Sequence, residues 1–241
     1  MGFLDKDSQK ATNPATKFLS WNSNEKCFTY YDKQKETNVH IGLPLKFIVM
    51  KELATVKGWS DEQGSGIYSN EVESTIKQPL TVKYFKGGTV AKGLYQKIRE
   101  KVVAAGGKYH QSIYCMLEDG SLVNISLKGA AMSRWLEFTQ KSRSRLSDEW
   151  VSVPGFDTDR KGGVTFNVPA FRFEGTLTEA QYKAATSAAT VLSAYLSDYL
   201  AANAATEGGD TQKASDYPEA SDPFSFTEDV EPIYDNDNLP F

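Results

Sequence analysis

The chain has little of what enzymes and metal centres are built from. Its thiols are Cys27 and Cys115 and its imidazoles His40 and His110, four such groups in 241 residues. Two cysteines far apart in sequence suggest a reducing compartment rather than a disulfide framework. Neither histidine has a His, Cys or acidic neighbour at metal-ligand spacing, so no metal site is expected. No Gly-x-x-x-x-Gly-Lys-Ser/Thr loop occurs, and Gly64-Ser-Gly66 is followed by Ser69 where a dinucleotide fingerprint needs glycine. No Gly-x-Ser-x-Gly elbow occurs either. Asp157 and Asp159 read as loop formers rather than metal carboxylates. The expectation is a protein without catalytic residues or a cofactor. No apolar run approaches membrane-spanning length. The opening MGFLDKDSQKATNP lacks an apolar stretch, and Lys6 stands where a myristoylation motif needs Ser or Thr. These features predict a soluble, cytoplasmic protein with no membrane contact.

What the chain does have is an uneven charge. The net value of −4 averages two opposite regions. From Glu207 onward ten carboxylates face a single lysine, Lys213, giving −9, and residues 1–206 carry +5. A basic body with a strongly acidic tail suggests a polyanionic partner for one and a docking or regulatory role for the other. The segmentation expected is a loose polar arm over 1–16, a folded body over 17–205, and a disordered acidic tail over 206–241.

The body reads as many strands with a few helices. Phe18–Trp21 and Lys26–Tyr31 flank a turn-rich spacer and predict a hairpin. Leu45–Val56 predicts one long strand, and Ile67–Val72 and Leu80–Phe85 two short ones. A helix is predicted from Thr89 to about Ala105, preceded by Gly87-Gly88. Lys108–Leu117 and Ser121–Leu127 predict a second hairpin, and Gly129 to about Ser142 a helix carrying Trp135 on its apolar face. Trp150–Val153 and Val164–Phe173 read as strands joined by a Pro154–Gly163 loop. The longest helix is predicted from Thr178 to about Ala202, opened by a Thr178/Gln181 capping box. The fold class expected is mainly β with helices (α+β): an elaborated OB-like barrel with a long C-terminal helix. Strand-rich α+β without closure is the alternative.

The tail closes on Asp235-Asn-Asp-Asn-Leu-Pro-Phe241, an apolar tip on an acidic segment. Leu239 and Phe241 suit a partner's pocket, the terminal carboxylate suits a basic rim, and Pro240 narrows the conformers to be ordered. This ending resembles that of bacterial and bacteriophage single-stranded DNA-binding proteins, which finish in an acidic stretch and an Ile-Pro-Phe-like tip. The resemblance covers about the last seven residues. It implies that Asp235 and Asp237 supply acidic flank and that Leu239, Pro240 and Phe241 dock replication or repair enzymes such as a polymerase, primase, helicase or nuclease. Asn236 and Asn238 stand where the family prefers acids, and Leu239 where it has Ile. The layout of basic OB-type body, linker and acidic tail is also similar to phage members of that family.

Sequence-tolerant binding of single strands needs cations along the phosphates and aromatic faces for bases. Candidates for both are Lys57, Trp59, Tyr68, Lys83, Tyr84, Phe85, Lys86, Lys108, Tyr109 and Tyr114. Gly87-Gly88 before a helix offers amides to a phosphate. Arg134, Lys141, Arg143 and Arg145 form the densest basic cluster, and Arg160-Lys161 a flexible basic loop. Arg143 and Arg145 also suit a helix C-terminus, and Trp135 reads as core more readily than as platform. The function expected is a protein that coats and protects single-stranded DNA in phage or bacterial replication, recombination or repair. Its tethered acidic tail would compete weakly with the strand. Two alternatives stay open: a double-strand-binding or annealing protein of phage recombination, and an interaction module in which the tail alone is functional. A homodimer through the long helix or the N-terminal hairpin is also left open.

Overall fold

The computed structural model describes residues 12–205. The tail, with Asp235, Asp237, Leu239, Pro240 and Phe241, lies outside the described residues. In chain order the body runs β1 (Lys17–Asn22), β2 (Cys27–Asp32), β3 (Thr37–Ile41), β4 (Leu45–Ser60), β5 (Ser65–Ser69), β6 (Leu80–Tyr84), β7 (Thr89–Gly93), α1 (Tyr95–Ala104), β8 (Gly107–Leu117), β9 (Leu122–Leu127), α2 (Gly129–Gln140), a 3-10 turn (Arg143–Ser147), β10 (Glu149–Lys161), β11 (Val164–Thr176) and α3 (Glu179–Ala205). The body is mainly β, and its strands join one mixed sheet in the order β3-β2-β1-β9-β8-β4-β5-β6-β7. Among the described residues only β1 and β9 pair parallel, from Lys17↔Val123 to Ser20↔Ser126. Among them, too, no helix is long and apolar enough to cross a membrane.

β4 is the spine. Its apolar, β-branched sequence favours extended chain, and it runs past the predicted end at Val56 to Ser60. One edge pairs with β8 from Phe47↔Leu117 to Gly58↔Gly107. The other edge takes β10 at one end (Leu45, Lys46, Phe47) and β5 at the other (Lys57 to Ser60). A bulge between Val49 and Lys51 resets which side chains face each side. At the far end the two chains approach closely: a Cβ on Gly58 would sit 2.2 Å from the Gly106 carbonyl oxygen. Glycine is what lets β8 remain paired there.

Three apolar clusters cover this sheet. The first packs Phe47, Ile113, Cys115, Ile125 and Leu127 against Met132 and Trp135 of α2, with Val151 and Val153 of β10. The second buries Ile48, Leu53, Tyr114 and Met116 beneath Leu192, Tyr195 and Leu196 of α3. The third gathers Val56, Ile67, Leu80 and Val82 around Tyr95, Ile98 and Val102 of α1. Each fully buried aliphatic side chain here stabilises the fold by about 1.5–3 kcal/mol. Trp135 is a core residue, fully buried. The Thr178/Gln181 capping box opens α3 as expected: Thr178 N donates to Gln181 Oε1 at 3.0 Å, and Gln181 N to Thr178 Oγ1 at 3.3 Å.

Four expectations are corrected. Thr89 starts a strand, not a helix: Gly87 (φ 99°) and Gly88 (φ 93°) turn a hairpin, and Ala91 pairs with Val82, so α1 begins only at Tyr95. Gly87-Gly88 therefore does not lead into a helix N-terminus. The Pro154–Gly163 segment is not a loop, because β10 and β11 stay paired from Gly155↔Ala170 to Lys161↔Val164. β3 is a short strand that the sequence reading did not include, although Thr37, Val39 and Ile41 alternate with Asn38 and His40. The described part of the expected loose arm is anchored, with Ala15 buried and Thr16 N donating to the Leu122 carbonyl at 2.8 Å.

Candidate nucleic-acid interface

Directly paired residues of neighbouring strands point to one face of a sheet. Lys108 of β8 pairs with Lys57 of β4, Lys57 with Tyr68 of β5, Tyr68 with Lys83 of β6, and Lys83 with Thr89 of β7. Strands lie about 4.8 Å apart, so the row Lys108-Lys57-Tyr68-Lys83 spans roughly 14 Å across four strands. Trp59, two residues beyond Lys57, lies on the same face. Its cross-strand partner is Gly66, and the missing side chain there makes room for a ring. A Cβ on Gly66 would lie 2.4 Å from Phe85 Cδ2. Phe85 also stacks on Tyr68, with ring centroids 4.7 Å apart and planes at 30°. Lys86 follows Phe85, exposed, its amide donating to Ser65 Oγ at 3.1 Å. Three lysines, Trp59 and a Phe85 ring backed by Tyr68 thus share one face. Tyr68 itself is only 9% exposed, so it supports Phe85 rather than offering its own ring.

Beside this row lies a buried polar layer. Thr55 Oγ1 and Ser69 Oγ share a hydrogen bond at 3.1 Å, as do His110 Nδ1 and Ser126 Oγ at 3.0 Å. Lys57 Nζ donates to Ser126 Oγ at 3.2 Å. Burial lowers the Lys57 pKa, and the Glu71 carboxylate opposes that. His110 is held well below the usual imidazole range, first by burial and then by Lys57, Lys128 and Lys108. A neutral imidazole beside three ammonium groups marks a region of positive potential. Deeper in, Glu71 accepts hydrogen bonds from Ser112 Oγ and Tyr114 Oη, and its own amide donates to Tyr199 Oη at 3.0 Å. The end of α3 is tied to the sheet at this point.

Several sequence candidates lie elsewhere. Tyr114 is 1% exposed under α3, where burial and Glu71 push its phenol far above the usual range, so it leaves the candidate set. Tyr84 packs against the third cluster, and Tyr109 against Tyr95 at 5.0 Å on the α1 side. The basic cluster around α2 is largely neutralised. Arg134 pairs with Asp159 at 3.4 Å and Glu137 at 3.5 Å, and Arg143 with Glu52 at 2.7 Å. Arg145 makes two 2.6 Å bonds to Glu149 and lies over the Phe173 ring at 4.0 Å. Lys141 is exposed just after α2. Arg160 and Lys161 sit at the tip of the β10–β11 ribbon, whose outer half is held by Ser23 and Trp21 through Asn167, the partner of Thr158.

Sequence reading missed Lys128, Thr55 and Ser126 as members of this region. Lys128 follows β9 alone, with no aromatic or basic neighbour to flag it. Comparison of this chain with protein-family models, with curated proteins and with solved structures gives no match.

Proposed function

We propose that the chain binds single-stranded nucleic acid, DNA in the first instance, along the β8-β4-β5-β6 face. The observation that carries this reading is the in-register row Lys108-Lys57-Tyr68-Lys83, bordered by Trp59 and Phe85. Lys108 and Lys83 at the two ends of the row suit phosphates, the buried Lys57 between them adds positive charge beneath the face, and the adjacent rings suit unstacked bases of any identity. The reading is one of binding and assigns no catalytic residue.

The connectivity supports an OB-like interpretation of the body. Taking β4 as its first strand, β5 and β6 follow as a meander, α1 stands before β8, and β8–β9 returns as a hairpin onto β4. Oligonucleotides in that fold lie on the face of the second and third strands, which here carry Tyr68 and Lys83. Closure is where the chain departs from it, because β9 takes β1 as its outer neighbour. The acidic tail and its Leu-Pro-Phe tip would then recruit replication, recombination or repair enzymes in the cytoplasm while the body coats and protects the strand.

Titration of a labelled oligo-dT with the full chain over a range of salt, with duplex of equal length as competitor, tests the proposal. Salt-sensitive binding that prefers the single strand is expected. Preference for duplex would favour the double-strand-binding alternative, and no binding would leave an interaction module defined by its tail.

A further inference from the structure

We infer that Glu25, Cys27 and His40 form a binding site for a thiophilic transition-metal dication of the Zn2+ or Co2+ kind. The three residues come from three places: the β1–β2 turn, the start of β2, and β3. Their ligand atoms, one carboxylate oxygen, Cys27 Sγ and a ring nitrogen, all lie within 4.8 Å of one another. Among the described residues this is the one such group of His, Cys and acidic side chains.

The convergence follows from the hairpin. Thr29 pairs with His40 across β2 and β3, so Cys27, two residues earlier, is the diagonal neighbour of His40 on the same face. Lys26 takes a left-handed conformation with φ 57°, and this turns Glu25 back toward Cys27. Asn22 fixes the turn. Its Oδ1 accepts from the amides of Asn24 and Glu25, each at 3.1 Å, and its Nδ2 donates to Glu25 Oε2 at 3.0 Å. That last bond orients a ligating carboxylate from outside, as outer-shell partners do in metal sites. His40 Nε2 already lies 2.9 Å from Glu25 Oε2.

The donor set selects the ion. A tetrahedral Zn2+ with bonds near 2.0–2.3 Å places its ligand atoms roughly 3.3–3.7 Å apart, so the Glu25–His40 pair, now at 2.9 Å, opens and the set as a whole, now within 4.8 Å, draws in on the ion by side-chain movements of about 1 Å. One thiolate and one imidazole discriminate against Mg2+ and Ca2+, which prefer oxygen. Three protein ligands leave a fourth position for water. Binding replaces the Cys27 S–H bond by an S–metal bond, and the proton goes to solvent. The ion would join β2, β3 and the turn whose Ser23 holds Asn167 of the β10–β11 ribbon.

The test uses the full chain, reduced, titrated with Co2+ alone and then with Zn2+. The expected result is one Co2+ per chain with a thiolate-to-cobalt charge-transfer band, displaced by Zn2+, and one proton released per ion. The band should vanish in Cys27→Ser and survive in Cys115→Ser, since Cys115 is fully buried. His40→Gln and Glu25→Gln, both at exposed positions, should each weaken binding at least tenfold while circular dichroism confirms the fold. Absence of the band, its survival in Cys27→Ser, or unchanged affinity in His40→Gln would each overturn the proposal.

Discussion

Trp59 and Trp135 belong to opposite sides of the same strand. Glu52 of β4 accepts a hydrogen bond from Trp135 Nε1 at 2.8 Å and pairs with Arg143. Lys57 and Trp59, at odd positions of the same uninterrupted register, point the other way. On the Glu52 side an aromatic cluster is closed: Trp135 touches Phe47, Phe138 and Phe171, and the arginines around it end on carboxylates. On the Lys57 side the rings and ammonium groups lie beside one another in a row. Counting cations in the sequence makes the Arg134–Arg145 stretch the more basic of the two regions. The carboxylates that already hold those arginines lower its standing. A nucleic acid displacing Arg145 from Glu149 would first have to replace two charge-assisted hydrogen bonds.

That comparison can be broken by substitution. The largest effect expected is Trp135→Ala, which removes a fully buried indole and should cost about 3–5 kcal/mol of stability in a denaturant titration. Trp59→Ala and Phe85→Ala should leave stability nearly unchanged and weaken oligo-dT binding by about 1–3 kcal/mol each, measured by fluorescence anisotropy. If Trp59→Ala unfolds the chain instead, the two sides are not different in kind. Gly66→Val sharpens the point, because its side chain would displace the Phe85 ring without removing it.

A pH titration separates the sides in another way. Burial and three lysines hold the His110 pKa well below its usual value. The folded chain therefore binds fewer protons than the unfolded one once pH falls through about 6.5. Stability present above that pH is lost on acidification, with a slope of up to about 1.4 kcal/mol per pH unit. Asp119, whose carboxyl is lowered by its bonds to Ser121, acts only near and below about pH 4. Thermal melts between about pH 5 and 7 thus report His110, and His110→Gln should flatten them. The smallest effect expected is at the paired arginines. Arg145→Ala should change stability little, because an exposed ion pair is screened by solvent, and leave oligo-dT affinity within error.

Elements with strong local pattern were legible in the sequence: the β1–β2 and β8–β9 hairpins, the apolar spine of β4, α2 and the capped start of α3. Gly87-Gly88 misled, because two glycines both precede helices and turn hairpins, and only the pairing of Ala91 with Val82 decides between them. The ribbon of β10 and β11 was hidden by Asp157, Asp159 and Arg160, which are solvated on a two-stranded arm that has little core to pack against. Of the interface, the residue types were legible and their company was not. Lys57, Tyr68, Lys83 and Lys108 look equivalent to Tyr84, Tyr109 and Tyr114 until register assigns each a face. Cys27 and His40 are brought together locally, by the β2–β3 hairpin, whereas register between distant strands is a long-range property. Pairing with carboxylates demoted Arg134, Arg143 and Arg145 for the same reason.

The most direct test is the salt dependence of oligo-dT binding by the full chain and by Lys83→Ala, Lys108→Ala and Arg143→Ala. Removing one ammonium group that neutralises a phosphate should reduce the slope of log K against log salt by about 0.7. That reduction is predicted for Lys83→Ala and for Lys108→Ala, with an unchanged slope for Arg143→Ala. A slope that falls for Arg143→Ala and stays fixed for the two lysine variants would place the strand on the other side of the sheet and contradict the proposed interface.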